Sequence, residues 1–260
     1  MQATIVIIGM GELGGVFARG FLRCGHPVYP ITRKMNIVEE SQKIPEPVLV
    51  LISVQESELD TVLQQIPENW KNKLGLIQNE LLPRDWLAHN IENPSVAVVW
   101  FEKKKGMELS SILHTPCYGP NASLISNALL SLDEASPVLS SEDDLLYELL
   151  RKGLYILTVN TAGLVQNCTV GELWAEHQAL AREIATEVIA IQELLTGRQL
   201  PYEKLIMGMV EGIKDCPDRH CLGRSAPERL NRCLDYADKF DLEVPKLLEI
   251  KNFTSTTPFK

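Results

Sequence analysis

Three glycines near the start of the chain have the spacing of a nucleotide-binding turn. Gly9, Gly11 and Gly14 directly follow the apolar run 5–8 and precede a helix-length stretch. In that setting the first glycine permits a tight turn, the second lets the backbone approach a pyrophosphate, and the third lets helix and strand pack closely. N–H groups at the helix start would then bind phosphate. The pattern predicts dinucleotide binding by the residues of this turn: Gly9, Met10, Gly11, Glu12, Leu13 and Gly14.

The residues after the second predicted strand indicate which dinucleotide would bind. A carboxylate at this place binds the ribose 2′-OH of NAD, whereas an arginine accommodates the 2′-phosphate of NADP. The chain has Arg33 and Lys34 here and no acid before Glu39. One interpretation is two solvated basic residues that follow a strand. We favour NADP, with Arg33 binding the phosphate, because a guanidinium matches phosphate geometry.

A lysine interrupts an apolar stripe in the second half of the chain. A helix is predicted from about residue 142, where a serine cap is followed by acids. Steps of four, three, four and four place five residues near one face of it: Leu145, Leu149, Lys152, Ile156 and Asn160. Lys152 either snorkels at the edge of a helix interface or faces a cleft, where desolvation suits a lysine to proton transfer. The spacing alone leaves both interpretations open.

The elements that must position these residues differ between the two halves. Strands are predicted in the first half at 4–8, 27–32, 48–53, 75–78 and 96–101, with helices such as 13–24 between them. Runs so rich in Val, Ile and Leu are typical of a parallel sheet that is covered on both faces. After about residue 140 only helices are predicted, including one long helix over 172–197 that ends at Gly197 and another over 226–241. The predicted fold class is therefore α/β: an N-terminal Rossmann-type doubly wound parallel sheet (1–140) followed by an all-helical C-terminal domain (141–260).

Composition excludes several classes of function. A net charge of −9 argues against broad binding to nucleic acid or to an anionic membrane, and the basic run 103–105 is interpreted as a solvated loop. No apolar run approaches the roughly 20 residues that span a bilayer, and the start of the chain reads as a strand. The six cysteines are scattered, which favours reduced thiols and a cytoplasmic location. Cys216, His220 and Cys221 form too small a set for the usual metal-site spacings, so no metal site is predicted.

In order and spacing, the chain resembles the ketopantoate reductases, NADPH-dependent enzymes of the 6-phosphogluconate-dehydrogenase-like superfamily. The resemblance extends over nearly the whole chain. It rests on segments that include "IVIIGMGELGG", "LIQNELLP", "LLRKGLYILTVNTAGL" and "RSAPERLNRCLDYADKFDLEVP". It implies a Rossmann domain and a helical domain with the active site in the cleft between them. It also implies a small 2-keto acid as substrate, with hydride transfer from the nicotinamide.

The resemblance also assigns roles to individual positions. Lys152 falls on the catalytic lysine that protonates the new alkoxide. Asn79 falls on an asparagine that contacts cofactor and substrate, Asn160 on an amide of the substrate pocket, and Glu228, allowing a one-residue gap, on a glutamate that binds the substrate hydroxyl. Ser53 ends the third strand, where it would lie beside the cofactor. A homodimer is one open alternative for the assembly.

Four positions depart from the family pattern and motivate an alternative function. Glu12 is unusual inside the phosphate turn, Glu80 replaces a common glycine, Ser53 a common lysine and Ile156 a common asparagine. The alternative is a non-catalytic NADP(H)-binding sensor or scaffold on the same fold. A 3-hydroxy acid dehydrogenase is disfavoured because "YELLRK" stands where that group has a glycine-rich stretch before its lysine.

Overall fold

The structure is a computed structural model, and it describes residues 3–256, with no side-chain description for Thr256. Its main sheet has six strands: β1 (Ile5–Ile8), β2 (Val28–Ile31), β3 (Leu49–Ile52), β4 (Leu74–Leu76), β5 (Ser95–Ala97) and β8 (Cys117–Tyr118). They lie in the order β2-β1-β3-β4-β5-β8. The first five are parallel, and β8 pairs antiparallel with β5. The predicted α/β class with a doubly wound sheet is confirmed.

The side of the sheet on which successive strands are added changes at β1. After β2 has formed on one side of β1, the chain crosses over and β3 forms on the other side, with Ile5 opposite both Val28 and Leu49. In open α/β sheets ligands bind beyond the carboxyl ends of the strands at such a switch point. The residues that follow β1 and β3 are Gly9 and Ser53. The topology therefore places both at the expected ligand-binding edge.

Apolar burial fixes the sheet and its helices. β1 and β3 are fully buried, as the continuous apolar runs predict. The helices of this part are α1 (Glu12–Arg23), α2 (Ile37–Lys43), α3 (Glu56–Gln64), α4 (Glu68–Lys71), α5 (Pro83–Leu87) and α6 (Ala122–Leu130). Phe17 and Phe21 of α1 pack in one core cluster with Ile125 and Leu129 of α6. A side chain at Gly20 would meet the Ala128 carbonyl, so α1 and α6 approach closely because position 20 is a glycine.

The predicted strand 96–101 is wrong as a single element. β5 ends at Ala97, and Phe101–Glu102 (β6) pairs instead with Ser110–Ser111 (β7) in a separate antiparallel ribbon. Between the two, the N–H of Trp100 donates to the Thr115 hydroxyl at 3.0 Å. A side-chain acceptor thus takes the place of a neighbouring strand, which hydropathy along the chain does not reveal.

From Leu150 to Thr256 the described chain contains helices joined by loops, and its one β interaction is an isolated bridge of Thr169 with His220. Its helices are α7 (Glu142–Ala162), which begins earlier, α8 (Val170–Glu176), α9 (Gln178–Thr196), α10 (Tyr202–Asp215), α11 (Ala226–Lys239) and α12 (Pro245–Thr256). Gly197 ends α9 with φ 63°, the left-handed conformation expected of a glycine stop.

The predicted single helix over 172–197 is wrong: it is two helices that meet at His177, where φ is −123°. A reciprocal cap joins Thr169 and Glu172 at the start of α8. The N–H groups of Val170 and Gly171 donate to carbonyls at Arg219 and Pro217. These tertiary bonds set the direction of α8 independently of α9. Helical periodicity in the sequence cannot predict them.

By its internal contacts the chain divides into two compact units, one ending at Leu149 and one starting at Leu150. No helix within residues 3–256 is both long and apolar enough to cross a membrane.

Candidate cofactor and substrate site

The glycine turn (residues 9–14) of the first unit has a conformation that requires glycine at two of its three glycine positions and leaves open space at the third. Gly9 has φ 96°, and a Cβ there would lie 2.5 Å from the carbonyl oxygen of Ser53. A Cβ at Gly14 would collide with the carbonyl oxygen of Gly9. At Gly11 no described atom lies within 4 Å of the Cβ position, so the space in front of this backbone is open. The turn therefore fits a pyrophosphate that approaches Gly11, which is the cap residue of α1.

The end of β3 lies against this turn. The N–H of Ser53 donates to the Ile8 carbonyl at 2.8 Å, and the Ser53 hydroxyl lies 3.3 Å from the Cβ position of Gly14. Met10 and Glu12 are exposed, and Leu13 is partly buried. The structure thus places the predicted cofactor residues of the turn and Ser53 together, at the switch point of the sheet.

Glu12 is the first residue of α1, and its carboxylate is paired. Its Oε2 lies 3.6 Å from Nζ of Lys103, which also donates to the carbonyls of Lys104 and Met107 in the loop between β6 and β7. An acid in the first helical turn interacts favourably with the helix dipole. Lys103 offsets the charge that Glu12 brings to the turn. The prediction of a solvated basic run describes Lys104 and Lys105, which are exposed, better than it describes Lys103.

Arg33 lies just beyond β2, with its side chain 81% exposed. Its Nη2 is 3.0 Å from Oε1 of Glu58 on α3. An exposed ion pair of this kind contributes little to stability, so the guanidinium can exchange Glu58 for a phosphate at small cost. Glu58 also supplies a carboxylate near the end of β2, which the sequence places 25 residues after Arg33.

Asn79, three residues beyond the end of β4, is held by an acid. Its backbone N–H and its Nδ2 both donate to Oε1 of Glu56, at 3.0 and 3.1 Å. The preceding residue, Gln78, is buried and donates to the carbonyls of Ile52 and Val54. These bonds tie the end of β4 to the end of β3 and fix the backbone from which Asn79 projects. Glu56 is a residue of this edge that sequence reasoning missed.

Lys152 lies in α7 of the second unit and is only 4% exposed. A lysine that snorkels keeps its ammonium in water, so the snorkelling interpretation is wrong. Burial raises the pKa of Tyr155, one turn further along the helix, to about 12, which keeps its hydroxyl protonated at neutral pH. Lys152 and Asn160 are eight residues apart in one helix, which separates their Cα atoms by about 12 Å along the axis.

The carboxamide of Asn160 is the centre of a buried polar group in the second unit. Its Nδ2 donates to the carbonyl of Cys221 at 3.1 Å, and its Oδ1 accepts from Nη1 of Arg229 at 2.6 Å. A Cβ at Gly223 would collide with this carboxamide, so the 221–223 backbone packs directly on it. We call these four residues the Asn160 cluster: Asn160, Cys221, Gly223 and Arg229. Asn160 and Arg229 are both buried.

Glu228 lies in the first turn of α11 and is exposed. Its neighbour Arg229 is the residue that reaches Asn160. The structure therefore brings Arg229, and not Glu228, to the predicted substrate amide within this unit. The sequence signal for Arg229 was a basic residue on the buried face of an otherwise amphipathic helix, beside Leu230 and Cys233.

Within residues 3–256 no three His, Cys, Asp or Glu side chains are grouped so that they could hold a metal ion. Of the three residues weighed as ligands in the sequence, Cys216, His220 and Cys221, the last has its sulfur atom 3.9 Å from that of Cys168.

No protein-family model matches the chain, and no curated protein matches it. Solved structures do match, over nearly the whole of both chains. A ketopantoate reductase of the PanE/ApbA family from Ralstonia eutropha aligns with a TM-score of 0.68 at 13% identity, covering 97% of each chain. The dimeric ketopantoate reductase from Staphylococcus aureus aligns with a TM-score of 0.66 at 16% identity, covering 97% of this chain and 98% of that one.

A D-mandelate dehydrogenase in complex with NADH aligns equally well, with a TM-score of 0.67 at 13% identity and coverage of 97% and 98%. Identities this low establish the fold and leave the substrate open. Ketopantoate reductases recur among the matching structures. The chain therefore has the fold that ketopantoate reductases share with this dehydrogenase: an N-terminal Rossmann domain followed by a helical C-terminal domain.

Proposed function

We propose that this protein is an NADPH-dependent reductase of a small 2-keto acid, similar to ketopantoate reductase. The observation that carries the proposal is the glycine turn, where Gly9 and Gly14 are sterically required and the space at Gly11 is open. A backbone shaped in this way serves a pyrophosphate and has no evident packing purpose at Gly11. The matching structures support an oxidoreductase because they include reductases and an NADH complex.

In this proposal the two units supply different parts of the chemistry. The nicotinamide supplies the hydride for the keto carbon. The first unit binds the dinucleotide through the glycine turn, Ser53, Asn79 and Arg33. The second unit supplies Lys152 as the proton donor to the forming alkoxide. An ammonium held in a buried position is suited to this step because it is a compact, directional proton donor.

Asn160 and Arg229 complete the substrate side of the proposal. Arg229 holds the carboxamide oxygen of Asn160, so the amide has one fixed orientation. An amide fixed in this way can select substrates by the hydrogen bonds that they offer. Glu228, whose side chain is exposed, is the proposed contact to the substrate hydroxyl.

Cofactor choice is tested by titrating the protein with NADPH and with NADH. Arg33→Ala is expected to weaken NADPH by roughly tenfold or more and to leave NADH nearly unchanged, since a charge-assisted bond to phosphate is lost. Lys34→Ala, at the adjacent exposed position, is the control and is expected to have a small effect on both. Equal losses for both cofactors in Arg33→Ala would refute the role of Arg33.

A non-catalytic NADP(H)-binding protein is the second candidate. It is favoured by the polar groups that are already engaged within the protein, Asn79 by Glu56 and Asn160 by Arg229. An absorbance assay of NADPH oxidation across branched 2-keto acids separates the two candidates. Turnover on any of them supports the reductase, whereas tight NADPH binding without turnover on the whole panel supports the sensor or scaffold.

A further inference from the structure

Two cysteines of the second unit lie with their sulfur atoms 3.9 Å apart. Cys168 lies between α7 and α8, and Cys221 lies between α10 and α11. Cys168 is partly exposed, whereas Cys221 is buried. The proposed reductase chemistry uses neither thiol.

The backbone around the two cysteines is already paired. Thr169 and His220 form an antiparallel bridge, the N–H of Cys221 donates to the carbonyl of Cys168 at 3.1 Å, and Val170 N–H donates to the Arg219 carbonyl at 2.7 Å. In this pattern Cys168 and Cys221 are opposite each other at a hydrogen-bonded position, where Cα atoms are about 5.5 Å apart. Disulfides favour Cα separations of about 5.5–6 Å. The Cα separation typical of this position therefore lies in the range that a disulfide favours.

We propose that Cys168 and Cys221 form a reversible intramolecular disulfide when the protein meets a disulfide oxidant such as oxidised glutathione. The Cys168 thiolate, at the more exposed position, attacks one sulfur of the oxidant, forms a mixed disulfide and releases one glutathione thiolate. Cys221 then loses its proton, attacks Sγ of Cys168 and releases the second glutathione thiolate. The two protons of the protein thiols pass to the two glutathiones, and the two electrons lost by the protein reduce the oxidant.

The surroundings of the two cysteines favour the protonated thiol, which is the less reactive form. Burial raises the pKa of both, and the carboxylates of Glu172 and Glu176 raise the pKa of Cys168 further. Little thiolate is present at neutral pH, so exchange is slow there and faster under mildly alkaline conditions.

The disulfide would act on the Asn160 cluster through the backbone. The Cys221 carbonyl accepts the hydrogen bond from Asn160 Nδ2, and Gly223 packs on the same carboxamide. Cross-linking Cys221 to Cys168 therefore restrains the segment that holds Asn160.

The full-length protein is incubated with oxidised glutathione under mildly alkaline conditions, alkylated, digested with trypsin and mapped by mass spectrometry. Because trypsin cleaves after Lys152, Arg182, Arg219 and Arg224, Cys168 and Cys221 fall on separate peptides, 153–182 and 220–224, and Cys216 falls on a third. The expected result is a linked pair of the first two peptides that a thiol reductant separates.

Two variants sharpen this test. Cys168→Ser is expected to abolish the linked pair, whereas Cys24→Ser, at another partly exposed thiol, is expected to leave it unchanged. If both peptides of the wild-type protein are recovered alkylated, or if Cys168 remains a mixed disulfide with glutathione, the proposal is overturned. The measurement requires no cofactor or substrate, so failure of the reductase proposal would leave its result unaffected.

Discussion

The glycine turn of the first unit and the Asn160 cluster of the second, both proposed to bind ligands, are built in opposite ways. The turn uses backbone, its essential residues lie within six positions, and its ligand-facing residue, Gly11, is exposed. The cluster joins the buried side chain of Asn160 to the Cys221 carbonyl and to the Arg229 side chain, which lie 61 and 69 residues away in the chain. A site built from backbone can be recognised from one short segment, whereas a site built from buried side chains depends on helix packing. The predictions below separate the two kinds of site.

Lys152→Ala is expected to have the largest effect, a loss of turnover of about 10²- to 10⁴-fold, the usual range for an acid–base group. Turnover is measured by NADPH oxidation with the best 2-keto acid of the panel. NADPH affinity, measured by titration, is expected to stay unchanged because the proposed cofactor residues all lie in the first unit. Lys152→Met, which keeps most of the side-chain volume, controls for packing and should lose turnover equally. Wild-type turnover in either variant would remove Lys152 from the mechanism.

Substitutions in the glycine turn are expected to separate folding from binding. Gly14→Ala should lower the free energy of unfolding by about 1–3 kcal/mol, because its Cβ would collide with the Gly9 carbonyl. Gly11→Ala, at the N-cap of α1, should lower that free energy by about 1 kcal/mol or less but weaken NADPH on the order of tenfold. Gly15→Ala, where the Cβ position is also open, is the control: it should leave NADPH affinity unchanged and raise the free energy of unfolding by up to about 1 kcal/mol, since alanine is favoured over glycine inside a helix. Full NADPH affinity in Gly11→Ala would mean that no pyrophosphate approaches this backbone.

Neighbouring substitutions in α11 are expected to distinguish a buried support from an exposed contact. Arg229→Ala removes the donor to Asn160 Oδ1, so the free energy of unfolding should fall by about 1–3 kcal/mol, as for a buried acceptor left unpaired. Glu228→Ala should change it by less than about 0.5 kcal/mol. Chemical denaturation measures both. A raised KM with unchanged kcat in Glu228→Ala would assign the substrate contact to Glu228, and an unchanged KM would exclude it.

The pairing of Glu12 with Lys103 is expected to have the smallest effect. Glu12→Gln removes a negative charge beside the turn and should tighten NADPH by a few-fold at low salt, whereas Lys103→Met should weaken it by a similar factor. Salt should reduce both changes, since the pair is partly exposed. Stability should barely respond. If Glu12→Gln leaves NADPH affinity unchanged at low salt, the carboxylate does not act on the phosphate site.

The positions of two central strands and of the glycine turn in the first unit could be predicted from the sequence. β1 and β3 lie within the apolar runs that predicted them, and Gly9, Gly11 and Gly14 have the steric properties that the motif implies. The split of 96–101 into two sheets and the break at His177 were not readable. In both cases the deciding bonds come from distant residues, Thr115 for the first and the segment 217–219 for the second.

The residues of the candidate site also fall into two groups: those marked by a local sequence pattern and those identified only by their tertiary contacts. Lys152 and Asn160 could be singled out from the sequence because they are polar residues on the otherwise apolar stripe of a helix. Glu56 and Lys103, which hold Asn79 and Glu12, were missed because a partner in an ion pair or hydrogen bond leaves no local pattern in the chain. The buried-face position of Arg229 is a local signal of burial, but it does not identify Asn160 as the partner.

The sequence by itself determined the α/β class, the glycine turn and the helical second half, because local sterics and hydrophobic periodicity act over a few residues. Only the tertiary structure decided that Lys152 is buried, that Arg229 rather than Glu228 supports Asn160, and that Cys168 meets Cys221. Those facts depend on which elements pack against each other, and packing is decided by the summed burial of the whole chain rather than by any one segment.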